Sequence, residues 1–267
     1  MKINTVKLIC FSPTGTTRKV LDAIALGMEA ENVTPIDLTP PAAETGSPAA
    51  IEGDLVIMGV PVYTGRVAQT AVDRIGRLKA TRKTPVVLVA VYGNRAYEDA
   101  LVELKDLAEA AGFTPVAAGT FIGEHSFASV TAPIACGRPD EKDLEEATAF
   151  GRRIRNKLEE VRSLEGILPL QVPGNFPYRE RTAMPKGSPM SREDLCTLCG
   201  TCAEACPTGI ITIGDKVITE ETGCIYCCAC VKACPTQARV MGVQAINDIA
   251  DRLSKGCADR KAPEFFL

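Results

Sequence analysis

Residues 6–29 read VKLICFSPTGTTRKVLDAIALGME, and the fold class follows from them. Val6 to Phe11 is a short apolar run of the kind that makes a strand buried on both faces. Thr16 to Glu29 has the amphipathic pattern of a helix. Between them, Ser12-Pro13-Thr14-Gly15-Thr16-Thr17 forms the turn. The same alternation continues, with strands expected at Val33–Leu38, Leu55–Val60, Pro85–Val91 and Pro115–Ile122, and helices at Val67–Lys79, Tyr97–Ala111 and Glu141–Arg162. Strands alternating with longer amphipathic stretches predict an α/β doubly wound parallel sheet up to about residue 165.

The 12–17 turn sets hydroxyls and backbone N–H groups at the start of a helix, where an anion such as phosphate sits. It lacks the Gly-Lys-Ser/Thr ending of an NTPase loop and the G-x-G-x-x-G of a dinucleotide fold, so neither ATP nor NAD is the leading ligand. The bland alternative is an ordinary helix N-cap. At these residues the chain resembles flavodoxin, whose S/T-x-T-G-x-T loop binds the FMN phosphate. The resemblance implies a sheet of order 2-1-3-4-5 and a phosphate site made by Ser12, Thr14, Gly15, Thr16 and Thr17. It also places the flavin beside the ends of strands 1, 3 and 4. The third strand ends in Pro61-Val62-Tyr63-Thr64-Gly65-Arg66 and the fourth in Tyr92-Gly93-Asn94-Arg95-Ala96-Tyr97. Expected cofactor residues are therefore Pro61, Val62, Tyr63, Thr64, Gly65, Tyr92, Gly93, Asn94, Arg95 and Tyr97. Three of the chain's five tyrosines fall in these loops, which bears directly on ring stacking. Unlike many flavodoxins, the chain has no tryptophan, and Arg66 and Arg95 stand where acidic residues are usual. Those arginines either favour an anionic flavin or are solvated loop charges. His125, the only histidine, is read as structural or as a hydrogen-bonding group near the flavin.

Eight of the 12 cysteines form a duplicated C-x2-C-x2-C-x3-C-P unit. Cys196, Cys199, Cys202 and Cys206 precede Pro207; Cys224, Cys227, Cys230 and Cys234 precede Pro235, each pair offset by 28 residues. Crowding into two runs in a chain of 267 residues points to thiolate ligation rather than to a disulfide scaffold. Zinc knuckles share the C-x2-C element but need neither the third cysteine nor the C-P ending. The stretch resembles the bacterial two-cluster ferredoxins, in which the fourth cysteine of each run ligates the other cluster. The resemblance implies one 4Fe-4S cluster on Cys196, Cys199, Cys202 and Cys234 and a second on Cys224, Cys227, Cys230 and Cys206. Between the runs, ITIGDKVITEETG reads as a hairpin around Gly214-Asp215. Cys10, Cys136, Cys228 and Cys257 are out of register and are expected to be non-ligands.

Residues 164–192 are rich in Pro and Gly without periodicity, a linker or an extended wrap in which Arg179, Arg181 and Lys186 are read chiefly as solvated charges. Arg152, Arg153 and Arg155 are helix-surface charges by default. The last segment has helical spacing through Leu253 and is expected to pack as a helix on the neighbouring domain. The organisation is thus a flavodoxin-like module over 1–165, a linker over 166–190 and a two-cluster module with a C-terminal helix over 191–267.

Net charge is -3, with 19 basic against 22 acidic residues up to Leu168 and 11 against 11 beyond it, a balance that argues against nucleic acid. No apolar stretch approaches the ~20 residues of a membrane span, so a soluble, cytoplasmic protein is expected. The combined resemblance is to flavodoxin-ferredoxin fusions, anaerobic electron carriers. It implies relay of electrons between two 4Fe-4S clusters and FMN, with partners among reductases, hydrogenases or other ferredoxin-dependent enzymes. The alternative is an FMN-dependent iron-sulfur reductase acting on a small substrate. A third reading makes the first module a docking scaffold without flavin.

Overall fold

The computed structural model describes residues 1–44 and 49–267. At its centre β1 (Thr5–Cys10), β2 (Asn32–Asp37), β3 (Leu55–Tyr63), β4 (Thr84–Tyr92) and β5 (Phe113–Ile122) run parallel. Their order is β2-β1-β3-β4-β5, the flavodoxin-like arrangement. Every residue of β4 is buried, which is why TPVVLVAVY is apolar almost throughout. β2 is the exposed edge and tolerates Pro35 there. Val116 is skipped in the β4–β5 register, where Val86 pairs with Pro115 and Val87 with Ala117.

α1 (Thr16–Met28) and α4 (Glu141–Glu160) cover one face through Val20, Leu21, Ile24, Phe150, Ile154 and Leu158. α2 (Gln69–Ile75) and α3 (Ala100–Ala110) cover the other through Ala71, Ile75, Leu101 and Leu104. Two of these helices are shorter than the sequence predicts. Val67 still pairs with Val62 across the tight turn at Thr64-Gly65, and Leu78–Ala80 leaves the helix to pair with Ala49–Ile51. α3 begins three residues beyond Tyr97 because Glu98 takes a positive φ and the Asp99 N–H bonds the Gly65 carbonyl at 3.0 Å.

The cysteine repeat is a repeat of backbone conformation as well. Leu198 and Tyr226 have φ of 56° and 55°, Gly200 and Cys228 of 83° and 57°, and Gly209 and Gln237 of 66° and 55°. Each left-handed residue precedes or follows a ligand-type cysteine at the same place in its run, and the short helices α5 (Thr201–Glu204) and α6 (Ala229–Lys232) also correspond. The hairpin between the runs pairs Ile211–Ile213 with Val217–Thr219.

The two modules are packed against each other. Residues 166–190 lie along the first module: Asp99 accepts from the Asn175 and Arg179 backbone N–H groups at 2.8 and 2.7 Å. The Tyr226 hydroxyl donates to the Pro185 and Gly187 carbonyls at 2.5 and 2.7 Å. Arg74, fully buried on α2, donates to the Leu38 and Thr39 carbonyls and, across the interface, to the Pro207 carbonyl at 2.6 Å. α7 (Gln244–Gly256) sets Ala250 and Leu253 against Phe127, Ala132 and Ile134 of the first module, as its spacing predicts. Beyond it the chain adds an unexpected antiparallel strand, β6 (Glu264–Phe266), to β5. Phe265, half-buried, stacks on Phe150 at 4.6 Å and fastens the tail to the α1–α4 core. Among the described residues no helix is long and apolar enough to cross a membrane.

Candidate functional site

The carboxyl ends of β1, β3, β4 and β5 open into a cavity of about 450 Å³. From the first module it is lined by Ser12, Thr14, Thr16, Thr17, Pro61, Val62, Tyr63, Thr64, Tyr92, Gly93 and Arg95, all anticipated, together with Gln69 and the loop Gly123 to Phe127. The linker adds Arg179, Arg181, Thr182 and Met184, and α7 adds Ile249 and Leu253. Ile225 and Tyr226, which lie between Cys224 and Cys227, form the remaining wall. A wider groove of about 1220 Å³ between α1 and α4 meets none of these loops.

Four anticipated residues do not line the cavity. Gly15 supplies backbone only: at φ 79° it turns the chain into α1, and a Cβ there would meet nothing within 4 Å. Gly65 sits under Glu98 in the β3 turn. Asn94 faces the C-terminal segment, donating to the Cys257 and Asp259 carbonyls at 2.7 and 2.8 Å. Tyr97 packs edge-on to Tyr92 at 5.6 Å and donates to Glu264 at 2.9 Å. In both loops the sequence supplies the right segment; Gly65, Asn94 and Tyr97, which miss the cavity, lie past the strand ends, in the turns that follow.

The 12–17 loop is prepared for an anion. The first N–H groups of α1 have no intrahelical acceptors, the N-cap Gly15 has no side chain to offer them, and only the Arg18 N–H is met by a side chain, that of Ser12. Thr17 is 1% exposed and its Oγ1 has no hydrogen-bond partner. An orphaned hydroxyl in that position is costly unless a ligand accepts from it. Ser12 is held by the Arg18 N–H donating to its Oγ at 3.1 Å, and its own N–H donates to Thr39 Oγ1 at 2.8 Å.

Opposite the loop, His125 lies against Gly93, where a Cβ would come within 2.2 Å of the ring. The Phe127 N–H donates to His125 Nδ1 at 3.0 Å, so the ring proton of the neutral form is on Nε2. Burial, aided by Lys232 and Arg95, pushes the His125 pKa down to about 4, and the ring is uncharged at neutral pH. Burial first, and then the thiols of Cys227 and Cys228, raise the Tyr63 phenol well above its ordinary pKa; Ser126 bonds it.

The two loop arginines are neither free nor simply solvated. Arg66 donates to Glu103 through Nε at 2.8 Å and Nη2 at 2.7 Å, and to the Arg179 carbonyl at 2.7 Å. Arg95 pairs with Glu98 at 2.8 Å. Glu103 also receives Arg181 at 2.9 Å, and Arg179 pairs with Glu98. These linker arginines are tied down, contrary to the solvated reading, and they strap the linker over the cavity. The cavity's linker, α7 and Ile225-Tyr226 walls escaped the sequence reading. Only the last left a signal, since the equivalent positions of the first run are Thr197 and Leu198.

The eight repeat cysteines form two groups. Cys206, Cys224, Cys227 and Cys230 line one small space, and Cys196, Cys199, Cys202 and Cys234 line another. The fourth cysteine of each run therefore stands with the first three of the other. Cys199 is exposed, whereas Cys227 and Cys230 are buried. Among the described residues no three His, Cys, Asp or Glu side chains converge on a point suited to a single metal ion. Cys10 is buried in β1, its thiol pushed up to about 12 by burial and by Asp37. Cys136 is exposed, Cys257 ends α7 and Cys228 is buried beside the second group.

The family model of the 4Fe-4S binding domain matches residues 191–212, which contain the whole first run. Among curated proteins none matches the chain. Similar solved structures include a flavodoxin from the domain Archaea, 14% identical over 58% of this chain and 99% of its own, with a TM-score of 0.38. A WrbA-like flavodoxin from Agrobacterium tumefaciens is 17% identical, over 59% of this chain and 98% of its own, with a TM-score of 0.39. The flavodiiron core from Synechocystis is 20% identical over 60% of this chain, which spans 37% of that one, with a TM-score of 0.44. The fold assignment rests on the strand order itself. A flavodoxin-like sheet and a 4Fe-4S binding segment are joined in one chain.

Proposed function

We propose that the chain is an electron relay in which FMN, held in the cavity, exchanges electrons with two 4Fe-4S clusters and through them with redox proteins outside. One observation carries this reading: the cavity at the strand ends and the Cys206, Cys224, Cys227, Cys230 group share a wall, made by Ile225. The residues present fit both kinds of group. The orphaned Thr17 hydroxyl and the N–H groups at the start of α1 suit a phosphate. Two spaces each bordered by four cysteines of the repeat suit two cubanes better than single ions. When bound, the clusters supply one-electron exchange and the flavin stores one or two electrons.

The chain's own residues set the conditions. Ser12, Thr14, Thr16 and Thr17 hold the phosphate with neutral donors. Uncharged His125 adds a polar wall without a charge. Ile225, Ile249 and Leu253 exclude water from the side where the modules meet. Exposed Cys199 marks the face at which a redox partner approaches. Cys196, Cys199, Cys202 and Cys234 would hold the outer cluster, and Cys224, Cys227, Cys230 and Cys206 the inner one.

The test begins with anaerobically reconstituted protein, for which iron, labile sulfide and acid-released flavin are measured; about eight irons and one FMN are expected. The clusters are then reduced by a fast low-potential reductant and flavin absorbance is followed at several protein concentrations. A first-order flavin phase independent of concentration supports the relay. A phase that scales with protein concentration, or a chain without flavin, rejects it.

A further inference from the structure

Arg239 stands between the two cysteine groups and is 3% exposed. Its Nη1 donates to Ser191 Oγ at 3.1 Å and its Nη2 to Thr219 Oγ1 at 2.9 Å. Nη2 also faces Cys230 Sγ, in the inner group, at 3.8 Å. The backbone N–H of the same residue bonds Cys234, in the outer group, and the side chain borders the outer group's space. One residue therefore touches thiols of both groups.

Its charge is uncompensated by protein. Nε is buried without a partner, and among the described residues the guanidinium contacts hydroxyls and a thiol but no carboxylate. A guanidinium stays protonated at any working pH. Burying it unpaired costs far more than two neutral hydroxyls return. Packing does not require it either, because the position 28 residues earlier in the repeat is Ile211, which is equally well buried. The duplicated unit has an apolar side chain at one copy and a cation at the other.

We propose that Arg239 is the counter-charge shared by the two clusters and that it raises the reduction potential of both. The inference rests on the cluster assignment given under the proposed function. A fixed positive charge favours the more negative, reduced state, and net charge and hydrogen bonds to sulfur are the levers by which a protein sets such potentials. Because the guanidinium meets a thiol of the inner group while Arg239 also borders the space of the outer one, its charge reaches both. The orphaned Nε–H is the donor left over for the sulfur of a bound cluster.

The experiment is an anaerobic redox titration, read by electron paramagnetic resonance, of wild type, R239Q, R239K and S191A, with iron and sulfide measured for each. R239Q is expected to lower the reduction equilibrium of both clusters at least tenfold, about 59 mV for one electron. R239K, which keeps the charge, should lower it less, and S191A, which removes an anchor but no charge, should leave it within about threefold. R239Q with full iron and unchanged potentials, or a shift confined to one cluster, overturns the proposal. If R239Q loses iron, recovery of iron in R239K supports the counter-charge, and equal loss in R239K overturns it in favour of a purely steric role. Wild type without labile sulfide would instead reject the underlying cluster assignment.

Discussion

Glu103→Gln tests whether the linker strap matters to the cavity. Glu103 is 4% exposed and receives four donors: Arg66 Nε at 2.8 Å, Arg66 Nη2 at 2.7 Å, Arg181 Nη2 at 2.9 Å and the Val67 N–H at 2.8 Å. The amide keeps an acceptor oxygen but turns an NH2 group toward a guanidinium. Arg66 is nearly buried with its partner, and losing that pair costs about 3 kcal/mol, the low end for a buried ion pair. The Arg181 side chain is 29% exposed, and solvent screening reduces its share to about 1 kcal/mol. Arg181, Thr182 and Met184 all line the cavity. If about 1.4 kcal/mol of the loss is release of that segment, FMN binding weakens about tenfold. The expected variant is folded, retains its iron and is less stable in urea by about 4 kcal/mol. It binds FMN about tenfold more weakly by fluorescence quenching, and trypsin cuts it faster after Arg179, Arg181 or Lys186. Unchanged FMN affinity together with unchanged trypsin resistance would refute the strap.

Thr14→Val combined with Thr17→Val removes two phosphate donors and should weaken FMN retention by about tenfold or more without changing iron content, as read by flavin titration and metal analysis. Cys228→Gly should keep about eight irons, since Cys228 is out of the repeat and its counterpart is Gly200; loss of about four would make it a ligand. The protonation of His125 gives a pH dependence whose sign is fixed. The folded pKa of about 4 lies below the ordinary 6.5, so the unfolded chain binds more protons between these values. Stability is full above pH 6.5 and falls as pH drops toward 4. Between about pH 7 and about pH 5.5 the loss is about 1.2 kcal/mol; urea denaturation should show this loss in the wild type and its disappearance in His125→Gln.

The parts of the molecule legible in the sequence are those whose signal is local. β1, β3 and β4 are apolar runs because parallel strands are covered on both faces, and the cysteine spacing is set by turns within each run. The turn over 12–17 is also local, since Gly15 and the hydroxyls are neighbours in the chain. What the sequence hid depends on distant partners. Arg66 reads as a charge available to a flavin or to solvent, yet its acceptor, Glu103, lies on α3, 37 residues further along the chain. β6 has only three residues, too few for a periodic signal, and is defined by pairing with β5. The linker lacks periodicity because its hydrogen bonds go to Asp99, Glu103 and Tyr226 rather than to itself.

The asymmetry of the duplicated unit ties these observations together. The two runs share their cysteine spacing and their positive-φ residues, so either could serve the same surroundings. Their differences fall where the surroundings differ. Thr197-Leu198 in the outer run corresponds to Ile225-Tyr226, which wall the cavity and hold the linker. Ile211 corresponds to Arg239, which touches both groups of thiols. Leu198 is 41% exposed, whereas Tyr226 is 6% exposed. One copy therefore faces solvent and the other faces the flavodoxin-like sheet. This polarity is what a relay with one external and one internal terminus requires, and a flexible tether could not supply it: with the Arg74–Pro207 bond and the β6–β5 pairing in place, the inner group keeps one orientation toward the cavity. Connecting the modules raises the frequency of their encounter; packing them with this asymmetry decides which end of the cysteine module meets the cavity.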